Sequence, residues 1–340
     1  MNIRSKAPLR LGLAGGGSDV SPYSDQFGGA ILNATISLYA YASIFPADDG
    51  KIHFYMKDHN KAITYESIVR LPTDNEFSLL AGVYNRLIRS YINKPLSFSL
   101  TTHVDAPPGS GLGTSSTLVV AILGAFVKWL NLPFGEYDIA HLAFEIERID
   151  LGMAGGKQDQ YSATFGGVNF MEFYNDDKVI VNPLRINDIY LQELSHNLIL
   201  YYTATSRQSA AIIASQQKNV LSGNVRSIEA MHQMKKQAIM MKEALLRGNL
   251  NEIGEILNYG WHFKKQMASE ISNPFIEEIY ETALKNGATG GKISGAGGGG
   301  YMFFYCPGDS RYRVIEALKQ FGGYAERYEF TSEGLVSWTL

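Results

Sequence analysis

At 340 residues the chain exceeds the ~250–300 over which one hydrophobic core usually extends, so it should fold as two domains. Its 45% hydrophobic and 19% charged residues are an ordinary soluble globular balance, and a net charge of −3 with no basic run argues against a nucleic-acid or anionic-membrane surface. The single cysteine, Cys306, excludes an internal disulfide and any multi-cysteine metal site, which suits a reducing cytoplasm.

Near the N-terminus, Arg4, Lys6 and Arg10 surround a short strand-like segment, Leu9–Leu13, with neither the apolar core nor the cleavage site of a secretory signal. After Gly17-Ser18-Asp19, Ser21 and Pro22 make an N-cap and first-turn pair for a helix through Gln26. Further strands are expected at Tyr39–Phe45, Lys51–Tyr55 and Ser97–Thr102. The longest apolar stretch, ten residues from Leu118 to Val127, reads as a buried helix. It is far shorter than the ~18–20 residues of a membrane span, so no membrane partner is expected.

Apolar residues at 139, 142, 143, 146 and 149 give Asp138–Asp150 a helical period. The second half is helix-heavy between Gln208 and Asn286, with buried strands at Leu198–Thr203, at Tyr301–Cys306 and toward Phe330. Cys306 in that apolar run reads as a core thiol. Strands and helices interleave without a regular β-α-β rhythm, so the class is α+β. Pro183–Tyr190 breaks the periodicity and places the boundary near Asn187, giving domains 1–186 and 187–340. The tryptophans are scattered as core or interface residues would be, and the seven histidines show no metal spacing.

Chemistry concentrates in Pro107–Leu118, P-P-G-S-G-L-G-T-S-S-T-L. Gly109, Gly111 and Gly113 leave backbone N–H groups bare, and Thr114, Ser115 and Ser116 add hydroxyls ahead of the buried helix. A glycine loop feeding a helix N-terminus favours a phosphate, through unpaired N–H groups and the helix dipole. The plainer reading is a tight loop whose glycines only permit positive φ. No G-x-x-x-x-G-K-[ST] is present, Ser116 stands where G-x-G-x-x-G needs its last glycine, and H-R-D and D-F-G are absent.

Two more segments accompany the loop, A-P-L-R-L-G-L-A-G-G-G-S-D at Ala7–Asp19 and K-I-S-G-A-G-G-G-G at Lys292–Gly300. Together, and in this order, the three resemble the motifs of the GHMP kinase superfamily, which includes galactokinase, homoserine kinase, mevalonate kinase and phosphomevalonate kinase. Within it, G-G-G-S-D and the G-K-Q-D-Q-Y of Gly156–Tyr161 most resemble heptose 7-phosphate kinases, with fucokinases close by. The resemblance implies an N-terminal domain like ribosomal protein S5 domain 2, a ferredoxin-like C-terminal domain and an active site in the cleft between them. It implies transfer of phosphate from ATP, with Mg²⁺, to the anomeric hydroxyl of D-glycero-D-manno-heptose 7-phosphate. Alternatives are a kinase of L-fucose or another free sugar, and an inactive sugar- or nucleotide-binding sensor of the same fold.

The resemblance also implies roles. Pro108, Gly109, Ser110, Gly111, Leu112, Gly113, Thr114, Ser115 and Ser116 would cradle ATP. Ser115 and Glu147 would bind Mg²⁺; the helical pattern alone does not separate Glu147 from Glu145, but the Glu147-Arg148 pair and its position twelve residues before Asp159 match the family. Asp159 would be the catalytic base, in a helical first turn where the dipole keeps a carboxylate ionised. Arg10 would supply positive charge beside the reacting groups, although Leu9 replaces the family's glycine. Ser18 and Asp19 match a sugar-gripping pair, with Gly16 and Gly17 replacing a glutamate and a histidine. Gly297 and Gly298 would approach the substrate. Lys157, with the strand-to-helix turn holding Thr205 and Arg207, would hold a phosphate on the sugar; capping and surface pairing are the plainer account of that turn.

Overall fold

The computed structural model describes residues 2–205 and 209–340. The chain opens with a long strand, β1 (Ile3–Ala14), whose residues 7–14 are all buried. A strand buried on both faces needs cover on both, and this need organises the N-terminal half. A short helix α1 (Tyr23–Phe27) leads into β2 (Gly29–Pro46), which returns antiparallel to β1. The hairpin β3 (Lys51–Met56) and β4 (Lys61–Glu66) follows, then α2 (Ser78–Leu87) and β5 (Phe98–Val104). Next come α3 (Thr114–Leu130), α4 (Glu136–Glu145) and α5 (Gln158–Phe165), then β6 (Val168–Phe173) and β7 (Val179–Pro183).

The remaining elements are α6 (Asp188–Asn197), β8 (Leu198–Tyr202), α7 (Ser209–Leu221), α8 (Val225–Arg247), α9 (Ile253–Lys264) and α10 (Pro274–Lys285). They are followed by β9 (Gly290–Ile293), β10 (Tyr301–Tyr305), α11 (Ser310–Leu318), β11 (Tyr324–Glu326) and β12 (Val336–Thr339).

The first sheet runs β12-β1-β2-β5-β3-β4. Long β2 serves neighbours in turn: residues 29–34 pair with β6 and residues 40–46 with β5. α3 is buried on all sides from Ser116 to Phe126 and lies against β1 and β2, as a helix apolar all round must. The second sheet, β11-β8-β10-β9, is wholly antiparallel. Alternation along its strands sorts its faces. Ile199, Tyr201, Met302 and Phe304 pack with Met231, Met234, Ile279 and Val314. Leu198, Leu200, Tyr301 and Phe303 join the core of the first half.

The α+β class is observed, with strands and buried helix where the pattern placed them. The C-terminal end differs. Phe330 makes only an isolated bridge to Ile36. The strand lies further on, at β12, which pairs with β1 from Ile3↔Thr339 to Lys6↔Val336. Those residues complete the first sheet, so the division into 1–186 and 187–340 is crossed, because β1 would otherwise present a bare edge. The first helix begins at Tyr23, after Pro22, with no side-chain cap from Ser21. Cys306 is buried, and burial pushes its thiol up to about 12, as a core thiol requires. Among the described residues no helix is long and apolar enough to cross a membrane.

Candidate active site

Gly109, Gly111 and Gly113 all adopt the left-handed backbone that glycine favours, with φ of 72°, 81° and 80°. The first bond of α3 runs from Thr117 N–H to the Gly113 carbonyl (2.9 Å), so the N–H groups of Thr114, Ser115 and Ser116 stand at the positive end of the helix. Gly111 must be bare for a second reason: a Cβ there would lie 2.4 Å from the Ser294 carbonyl oxygen. A Cβ on Gly295 would likewise meet Gly111 Cα at 2.7 Å. Ser294 Oγ donates to the Gly111 carbonyl (2.8 Å), and Tyr301 N–H donates to that of Ser110 (2.9 Å). The two glycine runs therefore pack backbone to backbone.

A cleft of about 830 Å³ opens over this seam. Pro108, Gly109, Gly111, Gly113, Thr114, Ser115 and Ser116 line it, together with Gly295 and Ala296. Ser110 and Leu112 are buried beneath, where the Leu112 carbonyl accepts the Arg10 N–H (3.2 Å). Gly297 and Gly298, expected at the substrate, pack on Ile271 instead, the Gly298 N–H donating to the Ile271 carbonyl (2.9 Å). Gly297 is bare because a Cβ there would lie 2.8 Å from Ile271 Cα.

The β1–β2 register shifts between Pro8 and Arg10, a bulge that re-aims the side chain after it. Arg10 is 3% exposed. Its Nε donates to Asp159 Oδ1 (2.7 Å), its Nη2 lies 2.7 Å from the same oxygen in an ion pair, and its Nη1 donates to the Gly111 carbonyl (2.6 Å). Asp159 lies in the first turn of α5, with its Cγ 3.2 Å from where a Gly113 Cβ would be. Its carboxylate thus hangs over the start of α3.

α4 continues into a wider π turn, Ile146–Asp150, that carries Glu147. Arg86 holds this turn by donating to Glu145 (2.8 Å) and Asp150 (2.6 Å). Glu147 is fully buried; its Oε1 accepts from Ser115 Oγ (3.1 Å) and its Oε2 from Gln160 Nε2. Glu145 points to Arg86 and away from the loop, which separates two glutamates that the helical pattern leaves equivalent.

Asp19 Oδ2 accepts the N–H groups of Lys157 (2.9 Å) and Gln158 (3.1 Å), pinning the start of α5. Burial pushes its carboxyl above the usual range and the nearby Asp159 charge adds to that, while these backbone bonds oppose it. A Cβ on Gly156 would fall 1.9 Å from Oδ2, so only glycine admits the contact. Ser18, expected beside Asp19 at the sugar, turns inward: its hydroxyl bonds the carbonyls of Gly15 (2.9 Å) and Ala30 (3.0 Å) and closes the turn. Lys157 is also diverted. Its ammonium lies 2.8 Å from Asp177 and 3.5 Å from Asp25, so two carboxylates of the chain already answer its charge. Thr205 is exposed, its carbonyl accepting the Gly300 N–H (2.7 Å); Arg207 lies outside the described residues.

Motif reading missed Lys264 and left Lys292 without a role. Both are fully buried beside Gly16, whose Cβ would lie 3.7 Å and 4.0 Å from their ammonium nitrogens. Lys292 Nζ donates to the Gly12 carbonyl (2.6 Å), and burial, aided by Lys264 and Arg10, holds its pKa well below the lysine range. Lys264 lines the cleft, with its Nζ 3.5 Å from the Gly16 carbonyl. Burial lowers its pKa to about 8, against the pull of Asp19. A signal was present. Lys264 falls in step with the buried Ile253, Ile256, Leu257, Gly260 and Trp261, a lysine in the core stripe of a helix.

Residues 78–167 match the GHMP kinases N terminal domain, and residues 241–323 match GHMP kinases C terminal. A D-glycero-alpha-D-manno-heptose 7-phosphate kinase from Campylobacter jejuni is 49% identical over 338 residues, covering 99% of each chain. The chain belongs to the GHMP kinase family. As a GHMP kinase it is a phosphotransferase with an alcohol acceptor, of a family that uses ATP as donor. Two crystal structures are similar over nearly their whole length. One is a D-glycero-D-manno-heptose 1-phosphate kinase from Bacteroides thetaiotaomicron, 46% identical with a TM-score of 0.84 over 99% of both chains. The other is a putative sugar kinase from Campylobacter jejuni, 49% identical with a TM-score of 0.82 over 99% of this chain and 98% of that one.

The buried Lys264 has a consequence for the GHMP kinase's stability. With a folded pKa of about 8 against the ordinary 10.5, the folded state carries a buried charge below pH 8 and sheds it before the unfolded chain does. Lys264→Met should therefore gain most in stability, relative to wild type, below pH 8. That advantage should shrink as pH rises toward 10, because only the wild type is relieved of its charge over that window. Urea unfolding at pH 7 and pH 10 checks the trend, and a pH-independent difference would show that Lys264 titrates normally.

Proposed function

We propose that this kinase phosphorylates the anomeric hydroxyl of D-glycero-D-manno-heptose 7-phosphate to the 1,7-bisphosphate, in the synthesis of nucleotide-activated heptose. The Campylobacter jejuni relative, a heptose 7-phosphate kinase, supports the substrate. The observation that carries the chemistry is Asp159, held on Oδ1 by Arg10 and hanging over the start of α3. With Oδ1 taken by the guanidinium, Oδ2 is the atom to receive the acceptor's proton. The N–H groups at the start of α3 hold the phosphates of ATP, and Arg10 adds positive charge where the transferring group gains negative charge.

Mg²⁺ fits the residues present. Glu147 is a fully buried carboxylate whose nearest cation among the described residues, Arg148 Nη1, is 3.8 Å away, and Ser115 Oγ is 3.1 Å from its Oε1. Ser115 and Glu147 would hold the ion, which supplies neutralising charge to the ATP phosphates. Thr205 and Arg207 are the proposed contacts of the sugar phosphate. The pairing of Lys157 with Asp25 and Asp177 favours a second reading, a kinase of a free sugar such as L-fucose.

A coupled ATPase screen over free and phosphorylated hexoses and heptoses separates these. Heptose 7-phosphate should be preferred over free heptose by about one to two decades in kcat/KM, the worth of a charge-assisted contact. Equal use of both, or L-fucose as the best acceptor, refutes the heptose phosphate reading.

Asp159→Asn should keep nucleotide binding and lose ~10²–10⁴ in turnover, the usual range for a general base. A folded variant with near wild-type kcat would remove Asp159 from that role.

Ser115→Ala and Glu147→Gln should each raise the Mg²⁺ concentration for half-maximal rate, whereas Glu145→Gln, whose partner is Arg86, should leave it in place. The same shift from both glutamates in a Mg²⁺ titration contradicts the metal assignment.

A further inference from the structure

Several buried polar atoms at one end of the cleft lack partners within the protein. Asp19 Oδ1, Gln158 Oε1 and Gln216 Nε2 have no hydrogen bond among the described residues. Lys264 Nζ has only the 3.5 Å contact to the Gly16 carbonyl. All of these side chains line the same cavity, and Asp19, Gln216 and Lys264 are each no more than 2% exposed. Isolated unpaired groups occur in any fold, but a buried donor or acceptor is costly to leave unmade. A cluster around one cavity means that the missing partners come from what enters it.

The other cations nearby are already engaged. Lys292 donates to the Gly12 carbonyl, and Arg10 is divided between Asp159 and Gly111. Lys264 is the lysine that lines this cleft, and its single 3.5 Å contact leaves it donors to spare. The backbone beside it is thinned to suit. A Cβ on Gly17 would strike Met267 Cε at 2.5 Å and stand 3.6 Å from Gln216 Oε1. Gly16 and Gly17 thus leave room for side chains that arrive from α7 and α9.

The free atoms are of both kinds. Asp19 and Gln158 offer acceptor oxygens, whereas Gln216 and Lys264 offer donors. A phosphate oxygen only accepts and would face the Asp19 carboxylate. A hydroxyl donates and accepts, so a polyol satisfies the whole set. We propose that Lys264 and Gln216, together with Asp19 and Gln158, grip the hydroxyl groups of the acceptor sugar and set its selectivity, while any phosphate on that sugar lies elsewhere. The proposal rests on the phosphotransferase reading of the cleft and is independent of which sugar is used.

The test uses full-length Lys264→Met and Gln216→Leu with the best acceptor from the sugar screen, in its free and phosphorylated forms. Each variant should raise the acceptor KM by about ten- to a hundredfold, and by the same factor for both forms. The KM for ATP should change by less than about twofold, since no donor contact is removed. Calorimetric titration of the sugar without nucleotide should show the same weakening. A loss confined to the phosphorylated sugar would make Lys264 a phosphate anchor and overturn the proposal. So would a rise in the KM for ATP, or no change in either constant. If Lys264→Met fails to fold by circular dichroism, Gln216→Leu decides by the same criteria. A failed heptose assignment shows separately, as a different preferred acceptor for the wild type, on which the variants are then measured. A wild type that turns over no sugar overturns both readings.

Discussion

One carbonyl oxygen joins the parts of the site. Gly111 O accepts Arg10 Nη1 from β1 and Ser294 Oγ from the loop between β9 and β10, at 2.6 Å and 2.8 Å. Both lone pairs are used, so the loop cannot rotate away from either partner without leaving a buried donor unmade. Arg10 also carries Asp159, so the same oxygen fixes the carboxylate over α3. The arrangement requires hydrogen where a Cβ would be at both Gly111 and Gly295. The cleft exists because two bare backbones touch.

Around that node the protein buries charge at a density an ordinary core avoids. Arg10, Lys264, Lys292, Asp19 and Glu147 are all at most 3% exposed. Some of this charge is compensated by direct bonds, as between Arg10 and Asp159, and some is left under strain, as the lowered pKa values of both lysines show. Removing charge from water without full compensation destabilises a fold, and natural proteins tolerate it where binding requires it. The apolar burial of α3 and the two cores on either side of the second sheet offset the penalty.

Much of this was legible in the sequence, and the limits have physical causes. The loop at 107–116 was readable from its alternate glycines before an apolar run, whereas the role of Asp159 came with the family resemblance. Glu147 also needed the family resemblance, since a helical period sets both Glu145 and Glu147 beside the apolar stripe; the π turn and the pull of Arg86 on Glu145 separate them only in three dimensions. Ser18, Gly297 and Gly298 sit within recognisable motifs yet face the fold, because a motif marks a segment and not the direction of each side chain. Lys264 lies outside every motif. It could have been found only by asking why a lysine occupies a core position of α9.

The pairing of β12 with β1 has a consequence for how the protein is made. β1 leaves the ribosome more than three hundred residues before residues 336–339, which cover one of its edges. For all of that interval the nascent chain carries a strand with an open row of N–H and C=O groups, the kind of template on which neighbouring chains associate. Vectorial synthesis therefore leaves the sheet that carries Arg10 open until the second half has been made, and a chain stalled short of β12 would present a nearly complete catalytic half with an adhesive seam.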